Sequence, residues 1–290
     1  MRPENDQNTE TSSKSMMEFS WDQSKVFIPW MSALFADMAT CVRFFSRLQL
    51  PAVNTVDTPA APPDFTRISR AAPLAGAFVA LPAAGAGLLL GMTDLPALVI
   101  AVAVAAVLTI VTGALHEDGL SDVADGFFGG ATVEKRLDIM KDSRIGAFGT
   151  VALVFAILLR VALIAALLDR FSVADAVLLV VTGEAVSRFL LVWQWSRHPL
   201  ARPDGLAARF GKPDRDALHQ ALLVTTVLIL PAVFCISLTG LALGLITGAI
   251  VALLAGQLAV KKIKGTTGDV LGAIQQLSGL GFLTGLLMVP

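Results

Sequence analysis

His116-Glu117-Asp118-Gly119-Leu120-Ser121-Asp122-Val123-Ala124-Asp125-Gly126 decides the reading of this chain. It opens the segment 116–146, which holds 11 Asp, Glu, Lys and Arg residues between two apolar runs of membrane length. Asp118, Asp122 and Asp125 stand at i, i+4 and i+7. On a helix they share roughly a 60° arc of one face. Unpaired like charges at that spacing weaken a helix. A divalent cation reverses the penalty, and hard oxygen ligands suit Mg²⁺, with Mn²⁺ as the alternative. The plainer alternative is a solvated acidic face at a helix end.

Working outward, 55% of the 290 residues are hydrophobic and 16% are charged. Soluble domains are nearer 25% charged. The net charge of −1 argues against a nucleic-acid partner. Cys41 and Cys235 stand far apart and form neither a disulfide framework nor a metal motif. Residues 1–27 are polar and read as a disordered N-terminal extension without a secretory signal. Residues 28–290 read as a single membrane-embedded catalytic domain, with the lipid bilayer as its first partner. Within 28–50, Asp37, Arg43 and Arg47 interrupt an apolar run, which suits an interfacial helix. Residues 51–64, rich in Pro and Ala, read as a linker.

Seven apolar segments follow, at 72–92, 95–115, 148–168, 173–195, 220–238, 240–260 and 270–289, each near the ~20 residues that cross a bilayer. The expected fold is therefore an all-α polytopic membrane protein with about seven transmembrane helices, mostly in tight helical hairpins. The expected turns are Thr93-Asp94, 169–172 and Thr239-Gly240. Of the 22 Lys and Arg, 19 fall in the tail and the loops 116–147, 196–219 and 261–264. The positive-inside rule makes those loops cytoplasmic. Gln275, Gln276 and several glycines make the last segment the least regular span.

In the charged segment, the glycines of 126–130 should end the first helix, and Thr132 should cap a second. Val133, Leu137 and Met140 share one face of it, suited to the membrane surface. Beyond it Lys141-Asp142-Ser143-Arg144 brings positive charge to an acidic region. Metal-holding carboxylates beside cationic groups are what phosphoryl transfer needs, though Lys141 and Arg144 also suit topology anchors. Glu184 and Arg188 form an i, i+4 pair inside a span, where ionisable residues are costly. Arg202 and Arg209 are candidate contacts for an anion. Gly265-Thr266-Thr267-Gly268-Asp269 is a glycine-rich turn with one carboxylate, matching no Walker pattern. His116 is a candidate base or orienting donor.

The acidic motif 116–126 with Ile139-Met-Lys-Asp-Ser-Arg-Ile-Gly146 resembles the cobalamin synthase family, the adenosylcobinamide-GDP ribazoletransferases. The resemblance extends to Arg43–Pro51, Ser187-Arg188, Ala201–Leu206 and Thr267–Gly272. Phe128 and Gly279 depart from the family pattern. The resemblance implies a multi-pass bacterial inner-membrane enzyme that is Mg²⁺-dependent and has its active-site loops in the cytoplasm. It would join adenosylcobinamide-GDP, a corrinoid nucleotide, to α-ribazole or its 5′-phosphate, releasing GMP. It further implies catalytic roles for His116, Lys141, Asp142 and Arg144, and substrate contacts at Ser143, Arg188, Arg202 and Asp269. Asp118, Asp122 and Asp125 would hold the metal. Oligomeric state, or a complex with other late cobamide enzymes, is left open. One alternative is a CDP-alcohol phosphotransferase, whose motif begins like Asp122-x2-Asp125-Gly126 but continues differently. The other is an ion-coupled transporter, whose site would lie nearer the midplane.

Overall fold

The computed structural model describes residues 28–202 and 205–289; the expected N-terminal extension lies outside them. The described residues are almost wholly helical. Helix α1 covers 28–45. Helices α2 (Phe65–Ile68) and α3 (Ala72–Leu90) run on through a 3₁₀ turn at Ser69–Ala71. Then come α4 (Ala97–Thr112), α5 (Leu115–Gly129), α6 (Val133–Ile139), α7 (Ala147–Arg170), α8 (Val173–Arg197) and a short α9 (Leu206–Arg209). Helix α10 (Arg215–Ile229) continues as 3₁₀ to Phe234, and α11 (Leu238–Ile263) and α12 (Gly268–Leu286) close the fold.

Five helical stretches are long and apolar enough to cross a membrane: Phe65–Leu90, α7, α8, Arg215–Phe234 and α11. A sixth arises if α4 and α5, bent by 87° at their junction, count as one broken span. The protein is thus a multi-pass membrane protein with close to the expected number of segments. Two consecutive left-handed residues make the bend, Gly113 at φ 65° and Ala114 at φ 58°. Glycine is needed at the first, because a Cβ there would meet the Arg47 side chain as well as the φ penalty. Helix α5 therefore leaves the direction of α4 at nearly a right angle and packs on α12 and α7.

Several boundaries differ from expectation for local reasons. The last hairpin turns at 235–237, not at Thr239-Gly240. Pro231 loosens α10 into 3₁₀ geometry, and Ser237 caps α11 by accepting from Gly240 N. Thr132 does cap α6, accepting from Lys135 N, but the apolar face of α6 meets protein, not lipid. Met140 is buried, with Val133 and Leu137 packed on the same core. The 51–64 stretch is pinned, since Asp57 pairs with Arg43 at 2.5 Å and accepts from Val53 N at 3.0 Å. In α1, Asp37 answers Arg70 at 2.7 Å and Arg67 at 3.1 Å, so its charges are neutralised where it packs.

Helix α12 is enclosed by α5, α8 and α11, and 13 of its 19 residues are buried. Its glutamines serve that position. Gln275 donates to Ser187 Oγ at 3.0 Å and Glu184 Oε2 at 3.3 Å, and Gln276 accepts from Arg160.

Candidate active site

The site forms where α5 crosses the start of α12. Gly119 permits the crossing: a Cβ there would lie 2.7 Å from the Asp269 carbonyl oxygen and 3.1 Å from its Cα. The close approach brings Asp269, in the first turn of α12, against the Asp118–Asp122 face of α5. A two-way backbone link positions the next component. Ala201 N donates to Thr266 O at 2.9 Å, and Thr266 N to Pro199 O at 2.8 Å. Arg202, the following residue, is thereby held beside Asp269, and its Nη2 donates to Leu137 O at 2.6 Å.

Electrostatics ties these groups together. Burial first, then the charges of Asp118, Asp269 and Asp125, push the Asp122 carboxyl up to about 7, with Arg202 opposing. A bound cation would relieve that repulsion, as Arg202 does in part. Among the described residues no three His, Cys, Asp or Glu side chains converge to hold an ion by themselves. Mg²⁺ commonly takes only one or two carboxylates and completes its shell with water and substrate phosphates. Asp118 and Asp122, with Asp269 beside them, fit that donor set.

Asp125 is not available in the same way. Its two carboxylate oxygens accept from Gly146 N at 2.7 Å and Gly149 N at 2.9 Å, so it caps the start of α7. The expected trio is thus split, with two carboxylates facing Asp269 and Arg202 and the third fastening α7 to α5. Lys141, Ser143 and Arg144 are exposed on the loop that this clamp anchors. Arg144 is bound to Asp142 at 2.6 Å, which holds the Asp142 carboxyl down at about 2. This loop does not line the cavity described next.

That cavity, about 150 Å³, lies between α1, α5, α8, α12 and the segment after α9. Its walls include Phe44, Phe45, His116, Leu191, Trp195 and Phe210, with Asp118 and Asp269 among its polar members. Phe45 stacks on His116 at 5.9 Å between centroids, and Phe44 meets Phe210 edge-on at 5.7 Å. Phe210 is set in place by its carbonyl, which accepts from Phe65 N at 2.6 Å. His116 is 2% exposed, and neither ring nitrogen has a hydrogen-bond partner among the described residues; nor has Trp195 Nε1. Burial, then the positive charges of Arg188 and Arg160, keep this imidazole neutral well below its usual range. A second cavity of about 90 Å³ adjoins through Ala207, Gly268 and Asp269, and includes Arg202, Thr266 and Thr267.

Arg188 does not enter either cavity. It is 1% exposed, paired with Glu184 as the spacing indicated, and packed against Gly76 of α3. Unforeseen is the buried pair Glu117–Arg160 at 2.9 Å, joining α5 to α7. An arginine inside an apolar span was the available signal, because such a charge needs a partner. The aromatic wall was also missed as a unit, since its members come from four separate segments.

Comparison with known proteins completes the description. Residues 37–287 match the family model described as cobalamin-5-phosphate synthase. A protein of Azorhizobium caulinodans named adenosylcobinamide-GDP ribazoletransferase is 44% identical over 263 residues, covering 89% of this chain and 97% of its own length. Proteins of the same name from Allorhizobium ampelinum and Sinorhizobium medicae are 39% and 41% identical, covering 89% and 85% of the chain and 98% and 94% of their own lengths. No solved structure matches.

Proposed function

The chain belongs to the cobalamin-5-phosphate synthase family, and from that premise we propose that it is an adenosylcobinamide-GDP ribazoletransferase. It joins adenosylcobinamide-GDP to α-ribazole, or to the 5′-phosphate of α-ribazole, and releases GMP. The observation that carries the reading is the meeting of Asp118, Asp122, Asp269 and Arg202 beside a cavity of nucleoside-base dimensions, within the family match.

In the reaction a ribose hydroxyl oxygen of the ribazole attacks the phosphorus attached to cobinamide. The bond from that phosphorus to the GMP oxygen breaks, and GMP leaves with the electron pair. The Asp118 carboxylate, exposed in the cavity wall, is the acceptor assigned to the hydroxyl proton, while His116 lines the same cavity with both ring nitrogens buried. Arg202 and the amino-terminal turn of α12 offer positive charge to phosphate oxygens in the adjoining cavity. Mg²⁺ or Mn²⁺ would be held by Asp118 and Asp122, supplying charge neutralisation to the diphosphate. Lys141 and Arg144, exposed on the loop before α7, are assigned to the part of the corrinoid nucleotide that stays outside the two cavities. In the sequence, 19 of the 22 Lys and Arg fall in the tail and in the loops that the positive-inside rule assigns to one side, which supports a cytoplasmic site on the inner membrane.

The test is direct. Reconstituted in lipid with Mg²⁺, the protein should form adenosylcobalamin and GMP in equal amounts, and chelation should stop it. Asp118→Asn and Asp122→Asn should each lower turnover by roughly a hundredfold or more, the scale of losing one preorganised electrostatic contact. Release of CMP from CDP-diacylglycerol, with no GMP from the corrinoid, would support the CDP-alcohol reading instead.

A further inference from the structure

We propose that Asp125 is a positioning residue for the reaction rather than a metal ligand: through the start of α7 it sets the loop that carries Lys141 and Arg144. This rests on the ribazoletransferase reading and deepens it by giving the third acidic residue of α5 a task of its own.

Both ends of that loop are fastened to neighbouring residues of α5. At its exit, Gly146 N and Gly149 N donate to separate oxygens of the Asp125 carboxylate, at 2.7 and 2.9 Å. Glycine lets the backbone come that near, because a Cβ at 146 or 149 would collide with the carboxylate. At its entry, Met140 is buried against Gly126, where a Cβ would meet Met140 Cγ and, at 2.9 Å, Arg136 O. Residues 125 and 126 are thus the floor on which 141–145 stands.

Between those ends the loop organises only itself. Arg144 binds Asp142 through its backbone N at 3.1 Å and its guanidinium at 2.6 Å, and Lys141 N and Asp142 N donate back into α6. Among the described residues, no side chain of 141–145 hydrogen-bonds to another element. A contact made by an already ordered loop costs less entropy than one made by a loose loop. Loosening the Asp125 clamp therefore weakens whatever Lys141 and Arg144 hold, here the part of the corrinoid nucleotide outside the two cavities. A cation at Asp125 would compete with two backbone N–H donors aimed at the same oxygens.

The test uses the full chain in lipid nanodiscs and begins with readouts that need no turnover. Mn²⁺ binding, followed by electron paramagnetic resonance, should be unchanged in Asp125→Asn, which keeps size and one acceptor oxygen. Asp118→Asn and Asp122→Asn should each weaken it at least about tenfold, the scale even for groups that only support a metal ligand. In Asp125→Asn the amides of Gly146 and Gly149 should exchange hydrogen about tenfold faster, as loss of one hydrogen bond allows. In turnover, KM for adenosylcobinamide-GDP should rise about tenfold, with KM for α-ribazole and the Mg²⁺ requirement unchanged. Lys141→Ala with Arg144→Ala should raise the same KM, and adding Asp125→Asn should raise it no further, because the clamp acts through them. Gly149→Ala breaks the clamp with every carboxylate intact and should reproduce the Asp125→Asn changes. Mn²⁺ lost from Asp125→Asn as from Asp122→Asn would overturn the proposal. So would an additive effect on top of the loop variant, or unchanged amide exchange with an unchanged corrinoid KM. Faster amide exchange with intact Mn²⁺ binding, but no GMP release even from the wild type, would support the clamp and remove the reaction.

Discussion

Helices α7 and α12 invert what a soluble protein would teach. Helix α7 is among the most apolar stretches of the chain, yet only five of its 24 residues are buried, and Phe148, Val151, Phe155 and Leu158 lie on its outer surface. Helix α12 carries Asp269, Gln275, Gln276 and Ser278, and most of it is buried. Lipid is as apolar as leucine, so apolarity gives no reason to face inward in a bilayer. Polar groups do have such a reason, because only other protein can pair with them. The interior of the bundle accordingly holds paired charges, Glu117 with Arg160 and Glu184 with Arg188, and the glutamines bonded to them.

The sharpest way to break that contrast is to unpair the interior. Arg160→Ala leaves Glu117 buried without its cation and should cost roughly 3–5 kcal/mol in chemical denaturation in detergent micelles. The double variant Glu117→Gln with Arg160→Met should recover most of it. A loss that the double variant fails to restore would mean that packing, not charge, holds α5 to α7. Next in size is the crossing of α5 and α12. Gly119→Ala drives a Cβ to 2.7 Å from the Asp269 carbonyl, which should cost about 1–3 kcal/mol and lower turnover with it. Gly85→Ala is the matched control: a Cβ there meets nothing within 4 Å. It should be neutral or gain up to about 1 kcal/mol. Smallest is the outer face. Phe155→Leu, at a side chain 68% exposed, should change stability by no more than about 0.5 kcal/mol. A cost there near that of Arg160→Ala would place α7 against protein and undo the contrast.

The same inversion explains how much could be read beforehand. Apolar length and charge asymmetry found the helices, because a bilayer imposes both. The acidic motif pointed to Asp118 and Asp122, and the glycine-rich turn to Asp269. Helical spacing grouped Asp125 with them, and its charge does reach Asp122, but a shared face says nothing about which neighbour arrives there. The arriving neighbour is the amino terminus of α7, and its two amides take both carboxylate oxygens. Gln275 and Gln276 made the last segment look irregular only under the assumption that it faced lipid. The aromatic wall, assembled from 44–45, 116, 195 and 210, has no spacing to detect.

The corner at Gly113 and Ala114 has a genetic consequence. Neither residue lines either cavity, and Ala114 meets the site through its backbone, its carbonyl accepting from Asp118 N at 2.8 Å, yet the corner sets the angle at which the acidic groups of α5 are presented. Arg47 braces it from outside, donating its backbone N–H to Val111 O at 2.7 Å while its side chain covers Gly113. A side chain at 113 would meet both the left-handed backbone and that brace. Gly113 should therefore recur among missense alleles that abolish activity while the protein still reaches the membrane, a lesion mapping away from all the chemistry it disables.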